Sequence, residues 1–346
     1  MPSGSSKSKP KPAEVASETK KQYIPLIRKQ YAAQFSTFSW FFARPLEMLD
    51  VPGRALDLSP PRFYVNVGDP VDGALGWQRE TQCSIPFICA ANDGRPGGDW
   101  ETGAAGYEER LCRRSTLSAT LGTPGPGSRV STHYPLPTFA ALISNDVVVF
   151  RGPHDRYEKL PPDQWQALPV ISVPPARWPK LTNNGTKYSF AAERDMVKEK
   201  LRGALRICIF NGFTSIVIGD FGLGNGYRNP PQELAELWRE VFLYDPDTRG
   251  RIRHVAFVFE DDRQSTTQLI LDDLAKKSKN GGSGGASSKS KSKSRSSSSS
   301  GSSSSSSVPG APSDFEIFHH VFSDAEIQRV LSEPDSRYGL GNLLAE

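Results

Sequence analysis

Short apolar runs that alternate with helical patterns constrain most strongly how this chain of 346 residues can fold. Six runs have the length and composition of buried strands: FYVNV from residue 63, SIPFICAAN from 84, VVVF from 147, LPVISV from 168, SIVIGDF from 215 and HVAFVFED from 254. Continuous apolar strands are typical of a sheet that helices cover on both faces. The sequence therefore predicts a three-layer α/β/α fold.

Helical periodicity fills the gaps between these runs. One helix is predicted over Glu193–Asn211, with Gly212 as its stop, and another over Thr266–Lys277. Asn229 is predicted to cap a third helix, which begins with two prolines. The apolar stripe of this helix consists of Leu234, Leu237, Trp238 and Val241. Residues 23–35 predict an N-terminal helix that packs on the body of the protein.

Two segments are too polar to bury apolar surface. Residues 1–21 are rich in Ser, Lys and Pro, and residues 276–312 are mostly Ser, Gly and Lys. Both are predicted to be disordered, a tail and an insert. One domain is predicted over residues 22–275. After the insert, residues 313–346 predict a strand, DFEIFHHVF, and a helix, SDAEIQRVL, that complete the same domain.

The positive charge of the chain lies in these polar segments. The net charge is +4, but residues 276–312 hold seven Lys and Arg and no acid, and residues 1–21 hold five Lys and two Glu. The remainder therefore carries a net charge of −6, which argues against a specific nucleic-acid site in the fold. The insert is either a solubilising linker or a segment that binds nucleic acid loosely, directs nuclear import or is phosphorylated.

The sequence predicts no membrane association and no metal site. No apolar run is long enough to span a bilayer and no secretory signal is recognisable, so we expect an intracellular protein with reduced thiols. The cysteines lack metal-ligand spacing and are expected to be buried; they are Cys83, Cys89, Cys112 and Cys208. His319 and His320 fall in the predicted C-terminal strand, where their side chains would point to opposite faces.

Two glycine-rich loops carry the candidate chemistry. In Arg95–Ser115, RPGGDWETGAAGYEERLCRRS, two glycines precede two adjacent glutamates. In Ser215–Pro231, SIVIGDFGLGNGYRNPP, a strand enters a loop with four glycines before a helix, which suits a phosphate, although the spacing is neither a Walker loop nor a dinucleotide fingerprint. Either loop alone could be a flexible turn. Because both follow strands, they are expected to meet in one crevice at the carboxyl edge of the sheet.

Both loops resemble segments of the microbial-type poly(ADP-ribose) glycohydrolases. AANDGRPGGDWETGAAGYEERLCRRSTL resembles the family signature of an Asn, a PGGG turn, QEE and LCRRS. GDFGLGNGYRNPPQELAELWREVF is similar to the family segment GAFGCGxFxNPPxxVAxxF. The resemblance covers residues 22–275. It departs at Asp99, where a third Gly is usual, and at Tyr107, where Gln is usual; this form resembles filamentous-fungal members.

This resemblance implies a catalytic macrodomain with a mixed central sheet and an extra N-terminal helical region. It implies a glycosidase that hydrolyses ribose–ribose O-glycosidic bonds of poly(ADP-ribose), releases ADP-ribose without a cofactor and acts on ADP-ribosylated proteins. The corresponding expectation is a monomer in the nucleus or cytoplasm with a role in the DNA damage response.

The family assigns different roles to the two glutamates. The second, here Glu109, is the general acid/base, and the first, Glu108, orients the substrate ribose. Their side chains diverge by about 100° at a helix start.

Other substrate-binding residues carry over by their place in the motifs. Asn92 is expected to bond the distal ribose, and Gly97 and Gly98 to allow its close approach. Asp99 is expected to face a ribose hydroxyl or solvent, because a carboxylate beside the pyrophosphate would repel it. Tyr107 is also expected to contact substrate.

The second loop is expected to hold the rest of the nucleotide. Its backbone N–H groups would hold the pyrophosphate at Gly222, Gly224, Asn225 and Gly226. Phe221 and Tyr227 are interpreted as packing on ribose or adenine, with a place in the core as the alternative. Arg113 and Arg114 either contact phosphate or belong to a helix surface or a buried ion pair.

Three other functions remain open at this point. A macrodomain that binds ADP-ribose without cleaving it would not need the glutamate pair. A mono-ADP-ribosyl-protein hydrolase would use the same nucleotide cleft. A non-enzymatic scaffold is supported only by the long insert.

Overall fold

A mixed seven-stranded sheet forms the centre of the computed structural model, which describes residues 10–51, 53, 58–182, 184–280 and 310–333. The strands are β1 (Trp40–Phe42), β2 (Arg62–Val67), β3 (Phe87–Ala90), β4 (Ala141–Val149), β5 (Gln166–Val173), β6 (Ser215–Ile218) and β7 (His254–Phe259). Their order in the sheet is β1-β4-β5-β3-β6-β7-β2. The six predicted strands are confirmed, whereas β1 was not predicted.

The strand directions place five carboxyl ends at one edge of the sheet. Strands β5, β3, β6, β7 and β2 pair in parallel, whereas β4 runs antiparallel to β5 and to β1. In a parallel arrangement, the loops after the strands gather where ligands bind. The sheet therefore brings the loops after β3 and β6 together.

Helices occupy both faces of the sheet. They are α1 (Pro12–Glu18), α2 (Ile24–Gln30), α3 (Pro45–Met48), α4 (Pro70–Thr81), α5 (Tyr107–Arg114), α6 (Leu117–Leu121), α7 (Ala191–Phe210), α8 (Pro231–Tyr244), α9 (Thr266–Asn280), α10 (Asp314–Val321) and α11 (Asp324–Ser332). A π-helical segment, Thr19–Tyr23, joins α1 to α2, and a 3-10 turn lies at Pro162–Gln164.

Alternate residues of the central strand β3 show the three layers directly. Phe87 and Cys89 pack with α4, α5 and α6, whereas Ile88 and Ala90 pack with α7, α8 and α10. All four residues are buried, as expected for a strand covered on both faces. The predicted α/β/α architecture is confirmed.

The N-terminal segment is more ordered than predicted. Residues 12–18 form α1, in which Val15 and Ala16 are buried, so the predicted disordered tail over 1–21 is wrong for this part. Residues 1–9 lie outside the described residues. The buried hydroxyl of Thr19 donates to the carbonyl of Arg113 at 2.7 Å, which ties this segment to α5. Local composition did not reveal this tertiary contact.

The C-terminal segment forms two helices rather than a strand and a helix. DFEIFHHVF is α10, so the predicted strand, with His319 and His320 on opposite faces, is wrong. Ser313 and Glu316 form a capping box that starts the helix, and Phe318 and Phe322 pack on Phe257 of β7. The helix SDAEIQRVL is confirmed as α11.

Several boundaries and exposures also differ from the predictions. Helix α9 continues to Asn280, beyond the predicted start of the insert, and residues 281–309 and 334–346 lie outside the described residues. Cys83 is exposed, whereas the other three cysteines are buried. Pro230 occupies the N-cap position of α8 instead of Asn229. Within the described ranges, no helix has the length and apolar character of a membrane span.

Candidate active site

Two hydrogen bonds connect the regions of the two glycine-rich loops. The first loop, Arg95–Ser115, is called the acid-pair loop, and the second follows β6. The hydroxyl of Tyr107, the first residue of α5, donates to Oδ2 of Asp220. The hydroxyl of Tyr227 donates to the carbonyl of Ala90, at the end of β3, at 3.4 Å. The two loops therefore lie side by side at the carboxyl edge, as predicted.

Helix α5 directs the two glutamates to different places. Gly106 precedes the helix with extended backbone angles, φ −66° and ψ 159°, so Glu108 and Glu109 fall in the first turn. Glu108 is buried, whereas Glu109 is half-buried. The predicted divergence of the two side chains is confirmed, and it gives the two carboxyl groups different surroundings.

Glu108 is fixed beneath the loop after β3. Its Oε2 accepts a hydrogen bond from the backbone N–H of Asn92 at 2.7 Å, and its buried Oε1 has no partner among the described residues. Burial raises the pKa of Glu108 to about 8 and the charge of Glu109 adds to the rise, whereas the backbone N–H groups of Asn92 and Gly97 and the charge of Arg177 oppose it. At neutral pH the carboxyl is therefore mostly protonated and can donate a hydrogen bond from Oε1.

Glu109 occupies a slot between two glycines. Its Oε1 accepts from the backbone N–H of Asp99 at 3.4 Å. A Cβ atom on Gly98 would lie 2.4 Å from Oε1, and a Cβ on Gly106 would lie 2.0 Å from Oε2. Any side chain at either position would force the carboxylate to move. The sequence predicted that Gly98 allows the sugar to approach, but the structure shows that Gly98 also makes room for Glu109.

Asn92 is the third polar side chain of this group, beside Glu108 and Glu109. Its Oδ1 accepts from the backbone N–H groups of Gly94 and Arg95, at 2.8 Å and 3.1 Å, which fixes the orientation of the amide. The position of a Cβ on Gly98 is 3.1 Å from Nδ2, so the amide nitrogen lies near the carboxylate of Glu109. This nitrogen is the donor that Asn92 has left for a ligand, consistent with the predicted ribose contact.

The two departures from the family pattern have different surroundings. The side chain of Asp99 is exposed and pairs with Arg95. Of the two predicted environments, a ribose hydroxyl or solvent, the structure shows solvent. Tyr107 was predicted to contact substrate, but its hydroxyl is engaged by Asp220. Asp220 is buried, and burial together with the charges of Asp314, Glu260 and Asp261 raises its pKa well above the usual range. The Tyr107 hydroxyl therefore acts first as a link between the loops.

The second loop has fewer free N–H groups than predicted. Gly222 and Gly224 take φ values of +76° and +72°, which other residues rarely adopt. The N–H of Gly224 donates to Oγ1 of Thr266 at 2.7 Å, so the prediction that it binds pyrophosphate is wrong. The N–H groups of Gly222, Asn225 and Gly226 make no hydrogen bond within the described part of the chain. These three remain able to hold a phosphate.

The aromatic residues of this loop differ in burial. Phe221 is buried and its ring meets that of Trp238 edge-on, with the centroids 5.7 Å apart. The prediction of a substrate contact is therefore wrong for Phe221, which belongs to the core. Tyr227 is only half-buried, and its ring lies 5.4 Å from the guanidinium of Arg177. Tyr227 thus remains able to contact a ligand.

Arg113 and Arg114 are structural. The buried Arg113 donates to the hydroxyl of Tyr157 and to the carbonyl of Trp100, both at 2.9 Å. Arg114 is also buried and pairs with Asp69 and with Asp72. The buried-ion-pair alternative is therefore correct for Arg114, and neither side chain is available to phosphate.

One group of side chains has the spacing of a metal site. Asp69, His154 and Glu260 can each offer a ligand atom within 4.8 Å of the others. However, Asp69 accepts from two backbone N–H groups at the start of α4 and pairs with Arg114, and Glu260 pairs with Arg110. Two guanidinium groups already supply the positive charge that a cation would bring.

A family model matches the part of the chain that carries the acid pair. Residues 58–152 match the model described as the microbial-type PARG, catalytic domain, where PARG is poly(ADP-ribose) glycohydrolase. This part of the chain is similar to the catalytic domain of the microbial-type PARGs. The match indicates an enzyme of the glycosidase class, as the resemblance implied. No curated protein matches the chain.

Two solved structures similar to this chain come from Thermomonospora curvata. Poly(ADP-ribose) glycohydrolase bound to the inhibitor ADP-HPD has a TM-score of 0.54 at 19% identity, over 77% of this chain and 98% of that one. A second structure of the glycohydrolase has a TM-score of 0.55 at 19% identity, over 76% and 98%. At this identity the likeness shows a shared fold, which confirms the predicted fold class.

Sequence reasoning missed two residues of the candidate site. Arg177 follows β5 in the segment VISVPPARW and brings its charge near both Glu108 and Tyr227. Asp220 stands where the family segment GAFGCG has Ala, and this replacement was the signal that could have revealed it. Both residues become noticeable only when the loops are placed together.

Proposed function

We propose that this chain hydrolyses the ribose–ribose O-glycosidic bond of poly(ADP-ribose) and releases ADP-ribose, with Glu109 as general acid/base and Glu108 as the residue that orients the ribose. The observation that supports this most is the slot between Gly98 and Gly106, which leaves room for the Glu109 carboxylate beside the Asn92 amide. A protein that only binds ADP-ribose would not need a second carboxyl group at this point.

In the proposed reaction, Glu109 first donates a proton and later takes one back. Glu109 gives its proton to the ribose oxygen that leaves as the anomeric C–O bond breaks. A water molecule then adds its hydroxyl to the anomeric carbon and gives a proton to Glu109, which restores the carboxyl group. Glu108, protonated at neutral pH, donates from Oε1 to a hydroxyl of the same ribose and holds the ring.

The rest of the cleft suits a nucleotide diphosphate. The N–H groups of Gly222, Asn225 and Gly226 face no partner of the described chain, and Arg177 supplies a positive charge near the acid pair. The inhibitor ADP-HPD in the Thermomonospora curvata structure supports an ADP-ribose-like ligand. We extend the proposal to ADP-ribosylated proteins as substrates, a monomer, a nuclear or cytoplasmic location and a role in the DNA damage response.

Incubation with automodified poly(ADP-ribose) polymerase tests this function. Wild type is expected to shorten the chains and release ADP-ribose, whereas Glu109→Ala is expected to leave them intact. Glu101→Ala is a matched control, because Glu101 is an exposed carboxylate of the same loop that pairs with Lys20 at 2.8 Å. Intact chains with wild type would refute the proposal. Cleavage of the bond between the protein and its first ADP-ribose unit, without shortening of the chains, would instead indicate a mono-ADP-ribosyl-protein hydrolase.

A further inference from the structure

A cavity of about 640 Å³ lies between residues 178–190 and helix α9. Its walls carry exposed aromatic rings and basic side chains: Trp178, Phe190, Lys180, Arg228, Lys276 and Lys277. Ile270 and Leu274 of α9 also line it. The volume is within the range of small-ligand sites, and none of these residues belongs to the acid pair or its slot.

Two large apolar side chains of this cavity are exposed. Trp178 is 57% exposed and Phe190 is 52% exposed. The guanidinium of Arg228 lies 5.0 Å from the Trp178 ring, and the ammonium of Lys180 lies 5.6 Å from the Phe190 ring. Trp178 also has a φ of +51°, which is rare for a bulky residue and is typical of functional sites. Exposed rings flanked by cations are what unpaired nucleotide bases stack on.

The charge of the cavity favours an anion. Four cations line it against a single carboxylate, Asp273, which pairs with Arg228 at 3.0 Å. Arg228 is only 6% exposed, and its Nη1 has no hydrogen-bond partner among the described residues. A buried guanidinium nitrogen without a partner is costly, so an acceptor from a ligand would complete the site.

The cavity is continuous with the second glycine loop. The N–H of Trp178 donates to the carbonyl of Tyr227 at 2.7 Å, and Nη2 of Arg228 donates to Oδ1 of Asn225 at 2.8 Å. The cavity therefore adjoins the loop that is proposed to hold the pyrophosphate.

We infer that this cavity binds a second ADP-ribose unit of the same poly(ADP-ribose) chain whose end lies in the cleft. An adenine stacks on Trp178, and the pyrophosphate lies among Lys180, Lys276 and Lys277. The inference rests on the proposed function. A polymer with flexible, unpaired adenines fits a single concave site with two rings, whereas a general nucleic-acid surface would be a broad basic patch.

Binding of long poly(ADP-ribose) and of monomeric ADP-ribose, measured with the full-length protein, tests the inference. Both ligands are titrated into Glu109→Gln, which prevents cleavage, alone and combined with Trp178→Ala or with Lys276→Glu and Lys277→Glu. Phe210→Ala and Lys29→Glu are matched controls, because Phe210 is 52% exposed and Lys29 is exposed, each away from the cavity. Thermal melting checks that every variant is folded.

We expect the cavity variants to weaken the affinity for long chains about fivefold or more and to leave the affinity for monomeric ADP-ribose unchanged. The controls are expected to bind both ligands like the parent. Equal polymer affinity in all variants would overturn the inference, and so would a matching loss of monomer affinity, which would place the cavity inside the cleft. If single-stranded poly(dA) displaced long poly(ADP-ribose) as effectively as unlabelled poly(ADP-ribose) does, the cavity would belong to a general nucleic-acid surface instead. Failure of wild type to cleave the polymer refutes the proposed function separately.

Discussion

The two glycine-rich loops use glycine for different physical reasons. In the acid-pair loop, Gly98 and Gly106 make room for a carboxylate of the protein itself, because a Cβ on either would lie within 2.4 Å of a Glu109 oxygen. In the second loop, Gly222 has a positive φ, and Gly226 has open space around it. The first loop thus makes room for the carboxyl group that is proposed as the acid/base, whereas the second shapes the backbone around the proposed ligand site. Substitutions in the first should change kcat and those in the second should change KM.

The strongest test of this difference compares Gly106→Ala with Gly226→Ala. Neither glycine has a positive φ, so the substitutions introduce no backbone strain. Gly106→Ala is expected to lower kcat about 100-fold or more, because the new methyl group displaces the Glu109 carboxylate, and general acid catalysis contributes about 10²- to 10⁴-fold. Gly226→Ala is expected to raise KM and leave kcat near wild type. Steady-state kinetics on poly(ADP-ribose) measures both, and equal losses of kcat would show that the loops do not differ in this way.

The buried carboxyl of Glu108 predicts a pH-dependent stability. Its pKa in the folded protein is about 8 and the usual value is 4.5, so the folded state binds the proton more tightly. The stability from this group is complete below pH 4.5 and is lost as the pH rises through about 8. Relative to wild type, Glu108→Gln is therefore expected to gain stability from low pH to about pH 8, by a few kcal/mol, and then to level off.

Thermal melting of wild type and Glu108→Gln over this pH range checks the prediction. Glu101→Gln, at an exposed carboxylate, is the control and should follow the wild-type curve. A constant difference between Glu108→Gln and wild type across the range would mean that Glu108 is ionised in the folded protein.

The contact between the loops has a smaller expected effect. Tyr107→Phe removes the hydroxyl that donates to the buried Asp220 and is expected to cost about 1–3 kcal/mol of stability, with a modest loss of kcat. Tyr134→Phe is a matched control, because the buried hydroxyl of Tyr134 has no partner among the described residues. Urea unfolding gives both free energies. Equal effects of the two substitutions would argue that the loops are not held together by Tyr107.

The smallest effect is expected at Asp99. Its carboxylate is exposed and pairs with Arg95 on the surface, so Asp99→Asn should change stability by less than about 1 kcal/mol. Activity and KM should remain within about twofold of wild type, since a surface pair of this kind contributes little. A large rise in KM would indicate that Asp99 turns toward the ribose when substrate binds.

The layers of the fold were predictable because buried parallel strands have a strong local pattern. Strand β3, for example, is apolar on both faces over Phe87–Ala90. The secondary structure of the segment DFEIFHHVF was harder to predict, since its apolar residues fit both a strand and a helix. The capping box of Ser313 and Glu316 was the local signal for a helix that the interpretation did not use.

The site was predictable as a set of residues but not as a set of contacts. The motifs placed Asn92, Glu108 and Glu109 correctly at the carboxyl edge, because parallel topology dictates where the loops go. They did not show that Phe221 is buried. The hydrogen bond from Tyr107 to Asp220 joins residues that are 113 positions apart in the sequence, and only the packed structure brings such residues together.

The division of work between the two glutamates is tested most directly by kcat and ADP-ribose affinity of Glu109→Gln beside Glu108→Gln. Glu109→Gln is expected to lose about 100-fold or more in kcat while it still binds ADP-ribose, because only the acid/base group is gone. Glu108→Gln should keep most of its kcat, since the amide can still donate to the ribose as the protonated carboxyl does. The reverse pattern, with Glu109→Gln active and Glu108→Gln inactive, would contradict the assignment.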